Sequence, residues 1–385
     1  MIPRKGFRIG SFGGIDVYLH WSWFIVFFLL LWVIIQLFQQ STSSPPSVYI
    51  PLSLITTLLF FLSVLLHELS HSVVANRNDI PIRRITLFVF GGVAQMNRDV
   101  TSPRVEFKMA VAGPLCSYVI CVVFGALAFL AFLARAGTVS FGLALISAVN
   151  FGLGTFNLVP GFPLDGGRIL RALLWHRSGD LEKSTRVASR LGQGLGSLLI
   201  LSGVIMLLIE ILRPIYDLTL AGFWFILIGA FLVQAAYNSY NQVRLRGWLS
   251  GLRVEDLTRF GVPAVDTSAT LEEVYRLHLE RSPHATVPVL RQGRLAASIN
   301  LSDLRSVEPS LWPHTPAGEV ARLIPQEEMI GAERPLYDAV LLMNRLGVEY
   351  LWVVDDGRLL GIITREDARG VIRQAREKEH GQSGT

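Results

Sequence analysis

Six long apolar stretches dominate the first 245 positions of the chain: 21–39, 50–75, 107–134, 140–159, 194–212 and 217–238. A helical membrane crossing needs roughly 20 apolar residues. In hydrocarbon every backbone N–H and C=O needs an internal partner, which a helix supplies. The stretches are therefore predicted to be six transmembrane helices. The first apolar run lacks a small-residue cleavage site, so it is expected to be a retained span and not a signal peptide. The chain has 385 residues, 51% hydrophobic and 17% charged, whereas soluble domains carry about 25% charge. The deficit is confined to residues 1–245. Residues 250–385 have the regular Arg, Glu and Asp of a soluble region. A membrane domain, 1–245, is thus expected to precede a soluble module.

Basic residues orient the spans. Arg4, Lys5 and Arg8 precede the first; Arg77, Arg83 and Arg84 follow the second; Arg168, Arg171, Arg177, Lys183, Arg186 and Arg190 follow the fourth; Arg244 and Arg246 follow the sixth. The other links hold no charge ("QQSTSSPPS") or few basic residues (Arg135, Arg213). This alternation predicts a multi-pass protein of the cell membrane with its N-terminus and soluble module in the cytoplasm. The net charge of +5 fits that retention of basic residues. Nucleic acid is not expected as a partner, because no stretch interleaves basic with aromatic residues. Cys116 and Cys121 both lie in an apolar run and read as small buried residues.

Within the second span stands "SVLLHELSHSVV", 63–74. Ionisable groups at membrane depth cost several kcal/mol unless buried with partners, so they mark function by default. His67-Glu68-Leu69-Ser70-His71 is H-E-x-x-H. On a helix, His67 and His71 share a face and can hold one zinc ion, with Glu68 as general base on its water. A polar packing network between helices and metal binding without hydrolysis are the alternatives. A catalytic zinc needs a third protein ligand and an open position. Asp165, in "FNLVPGFPLDGGR" (156–168) at the end of the fourth span, is the candidate. The cytoplasmic ends of spans two and four fall together, so Asp165 can reach the histidines; it also reads as a helix cap. Asn157 reads either as a group that holds a substrate carbonyl or an oxyanion, or as an interhelical hydrogen bond. "IRRITLFVFGGVAQM", 82–96, suggests a β-hairpin turning at Gly91-Gly92. A hairpin beside the site must be sheltered by protein, and its strand at 85–90 could pair with an extended peptide. Phe88, Phe90, Gly91, Gly92 and Asn157 are the candidate substrate contacts. Gly192 and Gly196 form G-x-x-x-G, read as chance recurrence in a glycine-rich chain.

HELSH in the second span, the Gly-Gly hairpin after it, "AGP" (112–114) in the next span and "NLVPGFPLDGGR" together resemble the site-2 protease family of intramembrane metalloproteases, over roughly residues 1–245. Asn157, Pro160, Leu164, Asp165 and Gly166 match its N-x-x-P-x-x-x-L-D-G. The resemblance implies one catalytic zinc on His67, His71 and Asp165, with Glu68 as base and Asn157 assisting. It also implies cleavage of a single-span substrate, often a membrane-anchored regulator, after an earlier cut by another protease. Many relatives carry Asn three residues after the Pro of AGP; here Ser117 stands there. A metal transporter or sensor without peptidase activity is the alternative, but HELSH has no counterpart in spans five and six, whereas transporters tend to repeat their halves.

Residues 252–308 and 313–374 read as two copies of one unit. "TLEEVYRLHLERS", "ATVPVL", "RQGR" and "LAASINLSDLR" in the first correspond to "PLYDAVLLMNRLG", "YLWVVD", "DGR" and "LLGIITREDARG" in the second. They resemble a pair of CBS domains. Thr364 and Asp367 match the ribose-contacting Thr-x-x-Asp of adenine-nucleotide-binding members, with Asn300 and Asp303 at the same places in the first copy. That implies ATP or AMP at the module, and a homodimer through it; Thr364 and Asp367 also read as a helix cap. The tail, 375–385, is expected to fray. The fold class expected is a polytopic α-helical membrane protein with a small membrane-associated β-hairpin, followed by a cytoplasmic α/β tandem CBS module.

Overall fold

The computed structural model describes residues 6–89, 91–96, 100, 102–212, 218–282 and 285–382. The chain divides into two compact units, Met1–Val243 and Arg244–Thr385. The first opens with a hairpin, β1 (Gly6–Phe12) and β2 (Ile15–His20), followed by α1 (Ser22–Ser41), α2 (Pro46–Asn76), a second hairpin of β3 (Ile82–Phe88) and β4 (Gly91–Met96), then α3 (Pro103–Leu133), α4 (Gly137–Asn157), α5 (Asp165–Ser178), α6 (Leu181–Leu212) and α7 (Thr219–Leu249). Among the described residues six helices, all but α5 of the seven, are long and apolar enough to cross a membrane. Several outrun the expected spans. α6 takes in the polar run from Leu181, and α7 continues through its basic end to Leu249. α5 is a short helix closed by Gly179 in the left-handed region, φ 69°, with His176 and Arg177 in its last turn where the helix dipole favours cations.

The expected hairpin at 82–96 is present, but it is half of a larger sheet. The order is β1-β2-β3-β4, with β2 and β3 parallel and the outer pairs antiparallel. β1 turns into β2 at Gly13-Gly14, both at positive φ, as the favoured two-residue hairpin turn demands. This corrects the peptide-pairing expectation. β3 is bonded on one side to β2 (Asp16↔Arg84 to Leu19↔Leu87) and on the other to β4 (Ile82↔Met96 to Phe88↔Gly91). Among the described residues β3 has no free edge, whereas β4 has one. Ile15, Val17, Ile82, Ile85 and Leu87 of the sheet join Leu65 and Ala75 of α2 and Met109 of α3 in one buried cluster, which fixes the sheet to the helix that carries HELSH.

α2 buries hydroxyls as well as apolar side chains: Ser53, Thr56, Thr57, Ser63 and Ser72. Most are satisfied within their own helix, as when Thr57 donates to the Ser53 carbonyl at 2.8 Å. Small side chains of this kind allow helices to approach closely where lipid gives no hydrophobic drive. Gly192 and Gly196, expected to be a chance pattern, are both at close approaches. A Cβ on Gly192 would overlap the Phe162 carbonyl, and one on Gly196 would lie 2.7 Å from the Gly229 carbonyl.

In the second unit, two four-stranded sheets have orders β6-β7-β8-β9 and β10-β11-β12-β5. The chain runs β5 (Arg259–Phe260), β6 (Val265–Asp266), α8 (Leu271–Val274), β7 (Thr286–Arg291), β8 (Arg294–Asn300), α9 (Leu301–Leu304), α10 (Ala317–Val320), β9 (Arg322–Leu323), β10 (Met329–Gly331), α11 (Leu336–Leu346), β11 (Tyr350–Asp355), β12 (Arg358–Thr364) and α12 (Arg365–Gln382). Each repeat keeps its own hairpin, turning at Gln292-Gly293 and Asp356-Gly357, all at positive φ. Each takes its last strand from the other repeat: β5 pairs with β12 and β9 with β8. α12 is helical to Gln382, so the tail expected to fray from 375 continues a helix.

Gly192→Ala should destabilise the protein by about 1–3 kcal/mol through overpacking against Phe162. Gly194 has open space within 4 Å, so Gly194→Ala should be neutral or stabilise by up to ~1 kcal/mol. Thermal unfolding of both variants in detergent checks the opposite signs.

Candidate metal centre

The geometry of α2 puts His67 and His71 one turn apart on a shared face. Their rings are 5.0 Å apart, and they are 3% and 6% exposed. Each ring is held by its Nδ1. His71 Nδ1 lies 2.6 Å from the Met109 carbonyl, and His67 Nδ1 lies 2.9 Å from Ser117 Oγ, both on α3. A carbonyl only accepts, so His71 carries a proton on Nδ1. Both Nε2 atoms then turn to one point, the carboxylate of Asp165, whose Oδ2 is 3.2 Å from each.

Asp165 reaches that point because of its loop. Leu158–Leu164 folds back under the start of α5. Phe162 N donates to the Ala188 carbonyl of α6 at 3.0 Å. A Cβ on Gly166 would strike the Leu158 and Val159 carbonyls, and one on Gly167 would strike Gly161. The two glycines after Asp165 are therefore required by close backbone approach. Asp165, 7% exposed, opens α5, yet its carboxylate faces the histidines. Deeper in α5, Arg171 bonds Glu106 of α3 through Nε at 2.8 Å and through Nη2, and its guanidinium lies 4.8 Å from the Phe162 ring centre. Glu106 is fully buried, and its Oε2 has no hydrogen-bond partner among the described residues. This pair ties α5 to the helix whose Met109 and Ser117 hold the two histidine rings.

Two further features fit a cation. His67 Nε2, His71 Nε2 and an Asp165 oxygen all lie within 4.8 Å of one another. With Nδ1 of His71 protonated, its Nε2 offers a lone pair to a carboxylate, an unfavourable pairing unless a proton or a metal ion sits between them. A Cβ on Gly113 would collide with Nε2 of both histidines, so the glycine of AGP keeps clear the space in front of the donors. Two imidazoles and a carboxylate are the donor set of a catalytic zinc with a position left for water.

Glu68 lies next to this set, under β4: a Cβ on Gly92 would be 2.5 Å from its Cγ. Gly91 and Gly92 open β4, and Phe88 pairs with Gly91 at the end of β3. Phe90 lies outside the described residues. Asn157 ends α4, and its Nδ2 donates to the Leu153 carbonyl at 3.0 Å. Among the described residues no hydrogen bond joins it to the cluster. Met109 and the Glu106–Arg171 pair were not found from sequence. Gly113, in AGP, and Ser117, three residues after its Pro, were marked there by the resemblance alone, with no role at the donors.

In the second unit Asn300 caps α9, accepting from Ser302 N and Asp303 N at 2.8 and 3.1 Å, while Asp303 Oδ2 accepts from Asn300 N at 3.0 Å. Thr364 and Asp367 make the same reciprocal bonds: Asp367 N donates to Thr364 Oγ1 at 3.2 Å, and Thr364 N and Oγ1 donate to Asp367 Oδ2 at 3.1 and 2.6 Å. The helix-cap reading of Thr364 and Asp367 therefore holds, and Asn300 and Asp303 prove to cap in the same way.

The profile of peptidase family M50 matches residues 55–135 and 131–201, and that of the CBS domain matches 254–310 and 324–374. The chain is 30% identical over 368 residues to the protein named "Putative zinc metalloprotease sll0528" from Synechocystis, with 94% of each chain covered. It is 28% identical over 364 residues to "Zinc metalloprotease MJ0392" from Methanocaldococcus jannaschii, again covering 94% of each. Among solved structures, the site-2 protease from Methanocaldococcus jannaschii is 32% identical, with 61% of this chain and 95% of that one covered and a TM-score of 0.40. The chain belongs to peptidase family M50, the site-2 proteases, and carries a pair of CBS domains after its apolar helices.

Proposed function

We propose that the protein is an intramembrane zinc endopeptidase that cuts a membrane-spanning segment of a single-span protein, in the manner of regulated intramembrane proteolysis. The observation that carries this is the convergence of His67, His71 and Asp165 beside Glu68, under a sheet whose β4 edge is open. His67, His71 and Asp165 would hold zinc, which supplies the Lewis acidity that activates water near neutral pH. Ser117 and the Met109 carbonyl keep both Nε2 atoms aimed at the site. Glu68 takes the proton from the attacking water and returns it to the leaving amine. A substrate helix has to unwind to expose its peptide bond, and an unwound segment can satisfy its backbone by pairing with β4. Gly91 and Gly92 leave the substrate strand clear of side chains next to Glu68, while Phe88 and Asn157 flank the approach. The alternating basic residues support a cytoplasmic N-terminus and a cytoplasmic CBS module. Thr364 and Asp367, with Asn300 and Asp303, support adenine nucleotide, ATP or AMP, as the regulator of that module.

Glu68→Gln should keep stoichiometric zinc and reduce cleavage of a reconstituted single-span substrate at least ~100-fold, the low end of general acid–base catalysis. Asp165→Ala should lose both zinc and cleavage. Metal analysis of each purified variant beside its cleavage rate separates the roles, and undiminished turnover by Glu68→Gln would refute the assignment.

Ser117→Ala removes the partner of His67 Nδ1 and leaves the ligand set intact. Zinc affinity or activity should fall about 10–100-fold, the usual cost of losing such a partner. Competition with a chelator of known zinc affinity reads the change without requiring activity.

A further inference from the structure

Both CBS repeats carry the same unexpected contact. Arg259, on β5, donates to Asp367 three times: Nη2 to Oδ1 at 2.6 Å, Nε to Oδ1 at 3.1 Å and Nε to Oδ2 at 3.1 Å. Arg322, on β9, reaches Asp303 through Nε at 2.5 Å. The registers correspond. Arg259 pairs with Ile362 of β12, and Arg322 with Ser298 of β8, each the fifth residue of its strand. In each case the arginine belongs to one repeat and the carboxylate to the other. A contact repeated at matched positions in two copies of a unit is unlike an incidental surface pair.

These carboxylates are the groups assigned above to a nucleotide's ribose. A carboxylate offers about four lone-pair sites. The oxygens of Asp367 already accept three bonds from Arg259 and two from Thr364. Burial alone would raise its pKa, but the bonds from Arg259 and Thr364 outweigh burial and hold it below the usual carboxylate range. With Arg259 in place, a ribose diol finds no free acceptor site on Asp367, and on Asp303 the Oδ1 atom is engaged by Arg322 and Oδ2 by Asn300 N. The arginines themselves are outward: the side chain of Arg322 is 70% exposed, over an Asp303 side chain only 4% exposed. An exposed guanidinium is weakly held by a single ion pair, whereas it binds phosphate through two parallel charge-assisted bonds.

We propose that Arg259 and Arg322 are paired latches, and that the module admits a ribonucleotide only when its phosphate draws the guanidinium off the carboxylate and leaves the carboxylate to the ribose hydroxyls. The inference rests on the nucleotide reading above. It makes the phosphate a condition of entry and not only a source of affinity. It also gives binding a mechanical consequence. Each latch ties a strand of one repeat to the other repeat, so occupancy changes the bond that holds β5 to β12. β5 starts at Arg259, shortly after α7 ends at Leu249.

The test is calorimetric titration of the full-length protein in detergent with ATP, AMP and adenosine, for the wild type and for Arg259→Ala/Arg322→Ala. The wild type should bind ATP or AMP at least tenfold more tightly than adenosine. The double variant should bind adenosine at least tenfold more tightly than the wild type does, and should lose most of the preference for phosphate. The wild-type comparison stands by itself if the double variant does not fold. Equal wild-type affinity for adenosine and ATP, or adenosine affinity unchanged by the double substitution, would overturn the latch and leave nucleotide binding in place. No binding of any of the three by either protein would remove the nucleotide reading and the latch with it.

Discussion

Four ionisable side chains share a space walled by apolar helices, and the cost of keeping them there governs the first unit. An isolated charge at membrane depth is unfavourable by several kcal/mol, so each group has to find its counterpart nearby. His67 and His71 find Asp165 with Nε2 and α3 with Nδ1. α3 must therefore lie against α2 at the height of Met109 and Ser117, and the loop at 158–164 must return under α5. The glycines at 113, 166 and 167 follow from the same demand, because each stands where a Cβ would collide with a ligand or with the loop that carries one. The fully buried Glu106 and its partner Arg171 bind the last two helices of this arrangement together. A buried ion pair contributes little net stability over an apolar one, but removing one member leaves a stranded charge. Its value here lies in fixing the position of α5.

What could be read from the sequence was whatever repeats at short range. The i, i+4 spacing of His67 and His71, the apolar lengths of the spans and the duplication in residues 252–374 are local patterns with local causes. Asp165 could be found because it stands at the end of the fourth span between Pro163 and Gly166-Gly167, on the side where span two also ends; its meeting with α2 is tertiary. The Met109 carbonyl was not legible, and Ser117 was noted only as a departure from the family's Asn, since a serine or a backbone oxygen on an apolar helix carries no mark of what faces it. β1 and β2 escaped although "GFRIGSFGGIDVYLH" alternates around Gly-Gly, because the partner of β2 is β3, on the far side of two apolar helices. That omission misplaced the free edge of the sheet on β3. The G-x-x-x-G at Gly192 was discounted on frequency alone, and contact with Phe162 gives it a cause.

The soluble unit shows how a duplication can be read in sequence and still conceal its assembly. Both copies were visible, but not that each sheet borrows its last strand from the other copy. The exchange means that neither repeat is complete without its neighbour, and it brings Arg259 and Arg322 to the carboxylates. The cap and the ribose contact were weighed as roles for the same residues. In the folded unit the cap is occupied, and the carboxylate that would serve a ribose is shared with an arginine.

Asp165 follows His67 by 98 positions, and Ala188, whose carbonyl braces the loop bearing Asp165, comes later still. During synthesis, then, both histidines and Glu68 enter the membrane well before their acidic partner exists. Until α3 and α4 are threaded and the start of α5 has emerged, the donor set is one member short. Dispersing the donors along the chain thus makes the centre a property of the folded unit and not of any one segment: it exists only once α2, α3, α4 and the start of α5 are all in place.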